Sequence, residues 1–262
     1  MDDRLLLAIS TFCFLFGFAH TMFILGAGGY RPSRFNFASM AGGFAFQTAF
    51  LVARGHALNA CPLTNLFEVI IFLNWSMVLL YFVVGAAYRL SLLGVFTSPL
   101  AFVLQAFALI ALPDSPPAAR VRVAQPWLET HAAVSITAYG AFALACVAGV
   151  MYLVQERQLK THRFRGFFFQ LPPIADLSVA MKRLILIGFI LLTVGLLCGF
   201  KIPGGVEWTK VIWGVGVWLI YGAILKFDKS ITPRRVAQLS VAAFSITLAT
   251  LWGLHFLNPA GS

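Results

Sequence analysis

Two histidines far apart in the chain have the chemistry of a metal-ligand pair. His131 closely follows Trp127 and Glu129, and His255 lies three residues after Trp252. Two neutral imidazoles that face each other across a helix bundle can supply axial nitrogens to a haem iron, and the flat apolar ring suits an aromatic, partly lipidic pocket. The alternative is that both are interfacial histidines, which are common amphipathic residues at the level of lipid headgroups.

Three further histidines are weaker candidates. His56 lies in Arg54-Gly55-His56, which we expect to form a tight turn, and it competes as a third ligand. His20 lies in the inner half of the first apolar segment, where one neighbouring hydroxyl or carbonyl can satisfy it. His162 lies among arginines, which favours a solvated surface role. Spacing alone leaves open whether His56 or His20 is a ligand.

Glu68 is the most unusual acidic residue, because it lies at the start of a long apolar segment. Asn65, Glu68, Phe72 and Trp75 recur at helical spacing, so they share one face, which we expect to face the bundle interior. A carboxylate so close to hydrocarbon needs a cation, a proton or a helix N-terminus. A dipole-stabilised helix start and a direct ligand contact both fit this pattern.

A second group of candidates consists of basic and aromatic residues. Arg120 and Arg122 could bind the two propionates of a haem through charge-assisted hydrogen bonds, or they could contact lipid headgroups. Trp127, Trp208 and Trp252 lie where an aromatic belt is expected at the membrane surface, and Trp208 and Trp252 could also line a ligand pocket.

The composition excludes a water-soluble domain. Apolar residues make up 60% of the 262 residues, charged residues only 11%, and the mean hydropathy is +0.87. A soluble domain carries about a quarter of its residues as charged side chains. The four cysteines show no paired spacing, which is typical of small buried residues and not of a disulfide framework or a zinc site.

Eight apolar segments are long enough to cross a bilayer as helices. Helices are expected because a lipid-exposed strand edge would leave backbone groups unpaired. The chain therefore predicts an all-α, polytopic membrane helix bundle with eight transmembrane helices, treated as a single domain over residues 1–262, and no tandem repeat is apparent. The expected spans are Leu5–Gly26, Phe37–Ala53, Asn65–Tyr88, Leu90–Leu112, Leu128–Val154, Leu184–Phe200, Val211–Leu225 and Val236–Phe256.

The distribution of positive charge predicts the orientation. Thirteen of the 19 lysines and arginines fall in the loops on one side of the predicted bundle. The positive-inside rule places that side in the cytoplasm and both termini outside the cell. Much of the net charge of +10 then has a topological origin, so we expect the lipid bilayer and not a nucleic acid as the partner of these charges.

Several motifs together resemble the cytochrome c assembly family of haem-handling membrane proteins, in its short HemX-like and YpjD-like branch. The resemblance covers about residues 55–255. It is carried by Cys61-Pro62-Leu63-Thr64-Asn65-Leu66-Phe67-Glu68, Phe72-Leu73-Asn74-Trp75, Trp127-Leu128-Glu129-Thr130-His131, Leu171-Pro172-Pro173 and Trp218-Leu219-Ile220-Tyr221.

The resemblance implies a site and a cofactor. In that family two external histidines flank a haem pocket, and the matching positions here are His131 and His255. The implied cofactor is haem b with histidine ligation. The implied location is the bacterial plasma (inner) membrane, and implied partners are other cytochrome c maturation proteins or haem-biosynthesis enzymes.

The sequence also departs from the long members of this family. The tryptophan-rich external motif is reduced to Pro203–Lys210, and Lys226 occupies the place of a second haem-binding histidine. These departures favour an accessory or regulatory haem-binding protein that supports cytochrome c assembly or haem supply over a self-sufficient haem lyase. The alternative function is a membrane transporter or exporter of haem or another small molecule.

Overall fold

The computed structural model describes residues 3–26, 34–88, 93–114, 125–161, 174–202, 208–228 and 230–257. Within these ranges the chain forms eight α-helices and no strand, which confirms the predicted all-helical class. The helices are α1 (Asp3–Gly26), α2 (Arg34–Leu58), α3 (Leu66–Tyr88), α4 (Leu93–Ala111), α5 (Pro126–Thr161), α6 (Ile174–Gly199), α7 (Trp208–Phe227) and α8 (Pro233–Leu257).

The helices are apolar enough for a membrane. Within the described ranges, five of them, α1, α2, α3, α5 and α6, are long and apolar enough to cross a bilayer. Shorter apolar stretches cover residues 96–111 of α4 and 211–227 of α7. Large side chains such as Phe12, Phe16 and Phe23 are exposed on α1, which is expected of a surface that faces lipid.

The helices pack as two groups of four. In the first group α1 and α3 each contact both α2 and α4, and in the second group α5 and α7 each contact both α6 and α8. The contact of α3 with α5 joins the groups. The two helices approach closely here because Gly140 has no side chain; a Cβ at this position would lie 3.1 Å from the backbone nitrogen of Met77. The larger cluster of buried apolar side chains accordingly contains residues from both groups, such as Met77 on α3 and Phe142 on α5.

Two ends of the bundle can be distinguished by their side chains. We call the end where α1, α3, α5 and α7 begin the histidine end, since His131 lies there, and the opposite end the lysine end. At the lysine end Lys182 Nζ lies 2.9 Å from Asp228 Oδ2, and Arg234 Nε lies 3.5 Å from Glu156 Oε2. These ion pairs join α6 to the end of α7 and α5 to α8.

Helix α2 is longer than the sequence predicts. It continues through Arg54 and His56 to Leu58, so the turn expected at Arg54-Gly55-His56 is wrong. The residue that follows the helix, Asn59, has a left-handed φ of 49°. The amide of Ala60 donates to the Gly55 carbonyl and that of Asn59 to the His56 carbonyl, which is a Schellman cap.

Candidate functional site

His131 lies in the second turn of α5, against the last turns of α6. Its imidazole is half-buried, and its Nδ1 lies 2.7 Å from the carbonyl oxygen of Gly195. A Cβ added at Gly199 would lie 3.0 Å from the same nitrogen, and one added at Gly195 would lie 2.5 Å from Ser135 Oγ. Two glycines one turn apart therefore let α6 approach α5 closely enough to hold the ring.

The contact with Gly195 decides which ring nitrogen carries the proton. A carbonyl oxygen can only accept a hydrogen bond, so Nδ1 of His131 must be the donor. In the neutral ring Nε2 then has the free lone pair that binds a metal. Histidines that bind metals usually donate their other N–H to a carbonyl or a carboxylate in this way, which fixes the ring orientation.

The second predicted ligand lies on α8 at the same end. His255 is two residues before the last residue of α8, and α8 packs beside α5. Its side chain lies outside the described residues, as do the side chains of Trp208 and Trp252. Arg120 and Arg122 fall between the described ranges 93–114 and 125–161.

An aromatic contact links the helices below His131. Trp213 on α7 donates its indole N–H to Thr250 Oγ1 on α8 at 2.9 Å. Its ring centroid lies 5.7 Å from that of Tyr139, which is two turns below His131 on α5. Because both Tyr139 and Thr250 contact Trp213, helical rise indicates that the backbones of His131 and His255 differ in height along the bundle by about one helical turn or less.

Glu68 is part of a buried ion-pair cluster. Its side chain is 1% exposed, and its Oε1 accepts a hydrogen bond of 3.0 Å from Nε of Arg54, which is 4% exposed. Its Oε2 accepts from the backbone amide and the hydroxyl of Thr64, at 2.8 and 2.7 Å. The structure thus places Glu68 at the N-terminus of α3, where Asn65 Oδ1 accepts the Glu68 amide at 2.8 Å.

The cluster extends across the histidine end of the first four helices. The Nη2 atom of Arg54 forms an ion pair with Asp114, just after α4, and Asp114 Oδ2 lies 3.3 Å from Nε of Arg4 on α1. Sequence reasoning missed Arg54 and Asp114, which are 60 residues apart. The signal for Arg54 was that Glu68 needs a cation and that Arg54 is the nearest arginine or lysine before it in the sequence.

A loop contact connects the two groups of helices close to His131. The backbone amide of Cys61, between α2 and α3, donates to Glu129 Oε2 on α5 at 3.1 Å. Burial, followed by the negative charges of Glu129 and Glu68, raises the pKa of the Cys61 thiol above its ordinary value. On the other side of α5, Lys201 Nζ lies 4.6 Å from the ring centroid of Trp127.

The other histidines lie elsewhere. His56 is exposed on the last turn of α2, and His162 lies outside the described residues. The His20 ring lies 4.5 Å from that of Phe35, near the lysine end. Among the described residues no group of three or more histidines, cysteines or acids could hold a metal ion.

Comparison with known proteins decides the family. The family model described as cytochrome c assembly protein matches residues 63–259, which is more than half of the chain. The chain belongs to the cytochrome c assembly family. Together with its long apolar helices, this membership makes it a multi-pass membrane protein with a role in cytochrome c assembly.

Three relatives illustrate this membership. A cytochrome c biogenesis protein CcsA of Guillardia theta is 28% identical over 225 residues, covering 75% of this chain and 74% of the relative. Protein HemX of Brevibacillus brevis is 27% identical over 185 residues, covering 70% and 65%. A cytochrome c biogenesis protein CcsA of Synechococcus sp. (strain JA-3-3Ab) is 28% identical over an alignment of 293 positions, which covers 86% of this chain and 84% of the relative.

The family match extends from just before α3 to the end of α8. The matched segment includes Glu68, His131 and His255. Arg54, which neutralises Glu68, lies on α2 before the matched segment.

Proposed function

We propose that this protein binds one haem b at the histidine end and supports cytochrome c assembly or haem supply. His131 and His255 would hold its iron through their imidazole nitrogens. The observation that carries the proposal is the hydrogen bond from His131 Nδ1 to Gly195, because it leaves Nε2 as the nitrogen available to iron. This donor set fits haem, whose iron is commonly held by histidine.

The aromatic surroundings of His131 are compatible with a flat aromatic ligand. The Trp213–Thr250 hydrogen bond and the Tyr139 ring lie below it. Trp208 and Trp252, near the ends of α7 and α8, are proposed to line the sides of the pocket. Arg120 and Arg122 are proposed to bind the propionates, since guanidinium groups bind carboxylates in a bidentate manner.

Glu68 has a supporting role in this proposal. It holds Arg54 and the loop that carries Cys61, and the Cys61 amide in turn donates to Glu129, two residues before His131. The carboxylate of Glu68 therefore affects the haem site indirectly, because it fixes the position of the loop between α2 and α3. When bound, haem would supply an iron centre that can change its oxidation state, while the protein residues bind and orient it and keep water away.

The proposal includes a membrane orientation. All eight helices span the bilayer, the histidine end and both termini face outward, and the lysine end faces the cytoplasm of a bacterial plasma (inner) membrane. The excess of lysine and arginine at the lysine end supports this orientation. The short segment Pro203–Lys210 before α7 supports an accessory role beside other maturation proteins or haem-biosynthesis enzymes.

Haem retention by histidine variants tests the proposal. We expect His131→Ala and His255→Ala to lose most of the Soret absorbance per protein after purification in detergent. His162→Ala is the matched control, and we expect it to retain the wild-type absorbance. An unchanged Soret band in both ligand variants, at equal yield and equal thermal stability, would contradict the proposal.

A further inference from the structure

The first four helices contain a specific aromatic clasp. Trp75 on α3 donates its indole N–H to Thr48 Oγ1 on α2 at 2.8 Å. Its ring stacks on Phe44, one turn before Thr48, with the centroids 5.5 Å apart and the planes at 17°. Thr48 also donates its hydroxyl hydrogen to the Phe44 carbonyl, which leaves its lone pairs facing the indole.

The last four helices contain the same clasp. Trp218 on α7 donates its indole N–H to Thr193 Oγ1 on α6 at 2.9 Å. Its ring stacks on Phe189, one turn before Thr193, with the centroids 5.1 Å apart and the planes at 27°. Thr193 donates to the Phe189 carbonyl at 2.7 Å, the same distance as in the first clasp.

A glycine next to each clasp receives a phenylalanine from the preceding helix. A Cβ added at Gly43 on α2 would lie 2.5 Å from the ring of Phe14 on α1. A Cβ added at Gly188 on α6 would lie 2.4 Å from the ring of Phe142 on α5. Helices α1, α2 and α3 thus correspond to α5, α6 and α7, each pair running in the same direction.

The neighbours of these helices follow the same correspondence. In each group the fourth helix packs against the first and the third. In the first group α4 contacts α1 and α3, and in the second group α8 contacts α5 and α7. The shared pattern Gly-Phe-x-x-x-Thr aligns α2 with α6 without a gap. Parallel repeats of this kind are related by an axis along the membrane normal.

The alignment shows what differs between the two units at the histidine end. The positions of Gly195 and Gly199 on α6 correspond to Phe50 and Arg54 on α2. Phe50 is fully buried, and Arg54 is buried as well. In the second unit the position beside these glycines receives His131. In the first unit the corresponding position is therefore filled by the ring of Phe50 and by the guanidinium of Arg54, which is paired with Glu68.

We infer that the chain consists of two copies of one four-helix unit, that the ligand site belongs to the second copy, and that Trp218 is a positioning residue of this site. Its clasp with Thr193 holds α6 two residues before Gly195, whose carbonyl oxygen accepts the hydrogen bond from Nδ1 of His131. The clasp of Trp75 with Thr48 is its counterpart in the first unit, beside the position that Phe50 and Arg54 fill. This inference rests on the proposed haem ligation.

The two clasps provide matched variants. Thr193→Val and Thr48→Val are isosteric, and each removes one indole hydrogen bond. We expect both to lower the midpoint of thermal unfolding by a similar amount. We expect Thr193→Val alone to broaden the Soret band and to lower haem retention several-fold, and Thr193→Ser to restore the wild-type band because it keeps the hydroxyl.

Three outcomes would overturn the inference. A wild-type Soret band in Thr193→Val, with a lowered midpoint, would show that the clasp is only structural. An equal spectral change in Thr48→Val would show that the site is not confined to the second unit. A fall of the midpoint in one valine variant alone would show that the clasps are not equivalent. Failure of haem ligation itself is distinct, because it appears as an unchanged band in His131→Ala.

Discussion

The chemistry of the histidine end depends on a few residues whose charges are matched at close range. Arg54 is surrounded by the carboxylates of Glu68 and Asp114, and Glu129 accepts the amide of Cys61. A buried ion costs several kcal/mol unless it is paired. The two acids therefore allow Arg54 to stay inside the bundle.

Removal of Arg54 is expected to be strongly destabilising. Arg54→Ala leaves Glu68 buried without its cation, and breaking a buried pair costs about 3–5 kcal/mol. Lys160→Ala is the control, since it removes an exposed ion pair with Glu156 and such pairs contribute about 0–1 kcal/mol. Thermal unfolding in detergent measures both. Equal midpoints for the two variants would contradict the assigned role of Arg54.

The reactivity of Cys61 is expected to respond to Glu129. Since the negative charge of Glu129 raises the pKa of the thiol, Glu129→Gln should lower it while keeping an acceptor for the Cys61 amide. In a chain whose other three cysteines are alanine, alkylation by a maleimide at neutral pH should become faster in this variant. A rate that stays the same or falls would show that the charge does not reach the thiol.

At the scale of helices, close packing depends on glycines that face aromatic rings. Gly188 and Phe142 allow α5 and α6 to approach, and the Phe142 ring stacks on Tyr221 of α7 with the centroids 3.6 Å apart. Small residues at helix interfaces have this function in membranes. The rotation of α6 relative to α5 then sets the position of the Gly195 carbonyl.

Alanine at Gly188 should disturb this packing. The new Cβ would lie 2.4 Å from the Phe142 ring, so the stack on Tyr221 must shift and thermal stability should fall. Gly216→Ala on α7 is the control, because a Cβ there meets nothing within 4 Å, and it should be neutral or slightly stabilising. Thermal midpoints that fall equally in both variants would contradict the packing argument.

Hydropathy predicted the existence of the helices well, but not all of their limits. Helix α2 was expected to end at Ala53, because an arginine usually marks the end of an apolar segment. The structure extends it to Leu58, since Arg54 is neutralised by acids from two distant segments. Helix α6 begins at Ile174, ten residues before the expected start, with Lys182 paired to Asp228. The pairing of Arg54 with Asp114 and of Lys182 with Asp228 leaves no local signal, because the partners are far apart in the sequence.

At the scale of the whole molecule, two similar four-helix groups differ at one end. The repeat depends on a few side chains in each group, so the sequence showed no tandem repeat. His131 could be proposed as a ligand from the sequence, because a single residue type near the start of a helix carries the chemistry that a metal ligand needs. The partner of its Nδ1 could not, because Gly195 contributes only a backbone carbonyl.

The proposed orientation can be tested by labelling from one side. In a chain whose four cysteines are alanine, His56→Cys at the histidine end should react with a membrane-impermeant maleimide in intact cells. Thr161→Cys at the end of α5 should react only after the membrane is opened, because we place that end in the cytoplasm. The reverse pattern would contradict the orientation.

The most direct test of the central claim removes the His131 ring by mutation and supplies it again as free imidazole. The measurement is the absorption spectrum of the purified protein, oxidised and reduced. We expect six-coordinate low-spin bands in the wild type, their loss in His131→Gly, and their return when free imidazole fills the space beside Gly195 and Gly199. A low-spin spectrum that His131→Gly leaves unchanged, at equal yield, would show that the ring bound to Gly195 does not hold the iron.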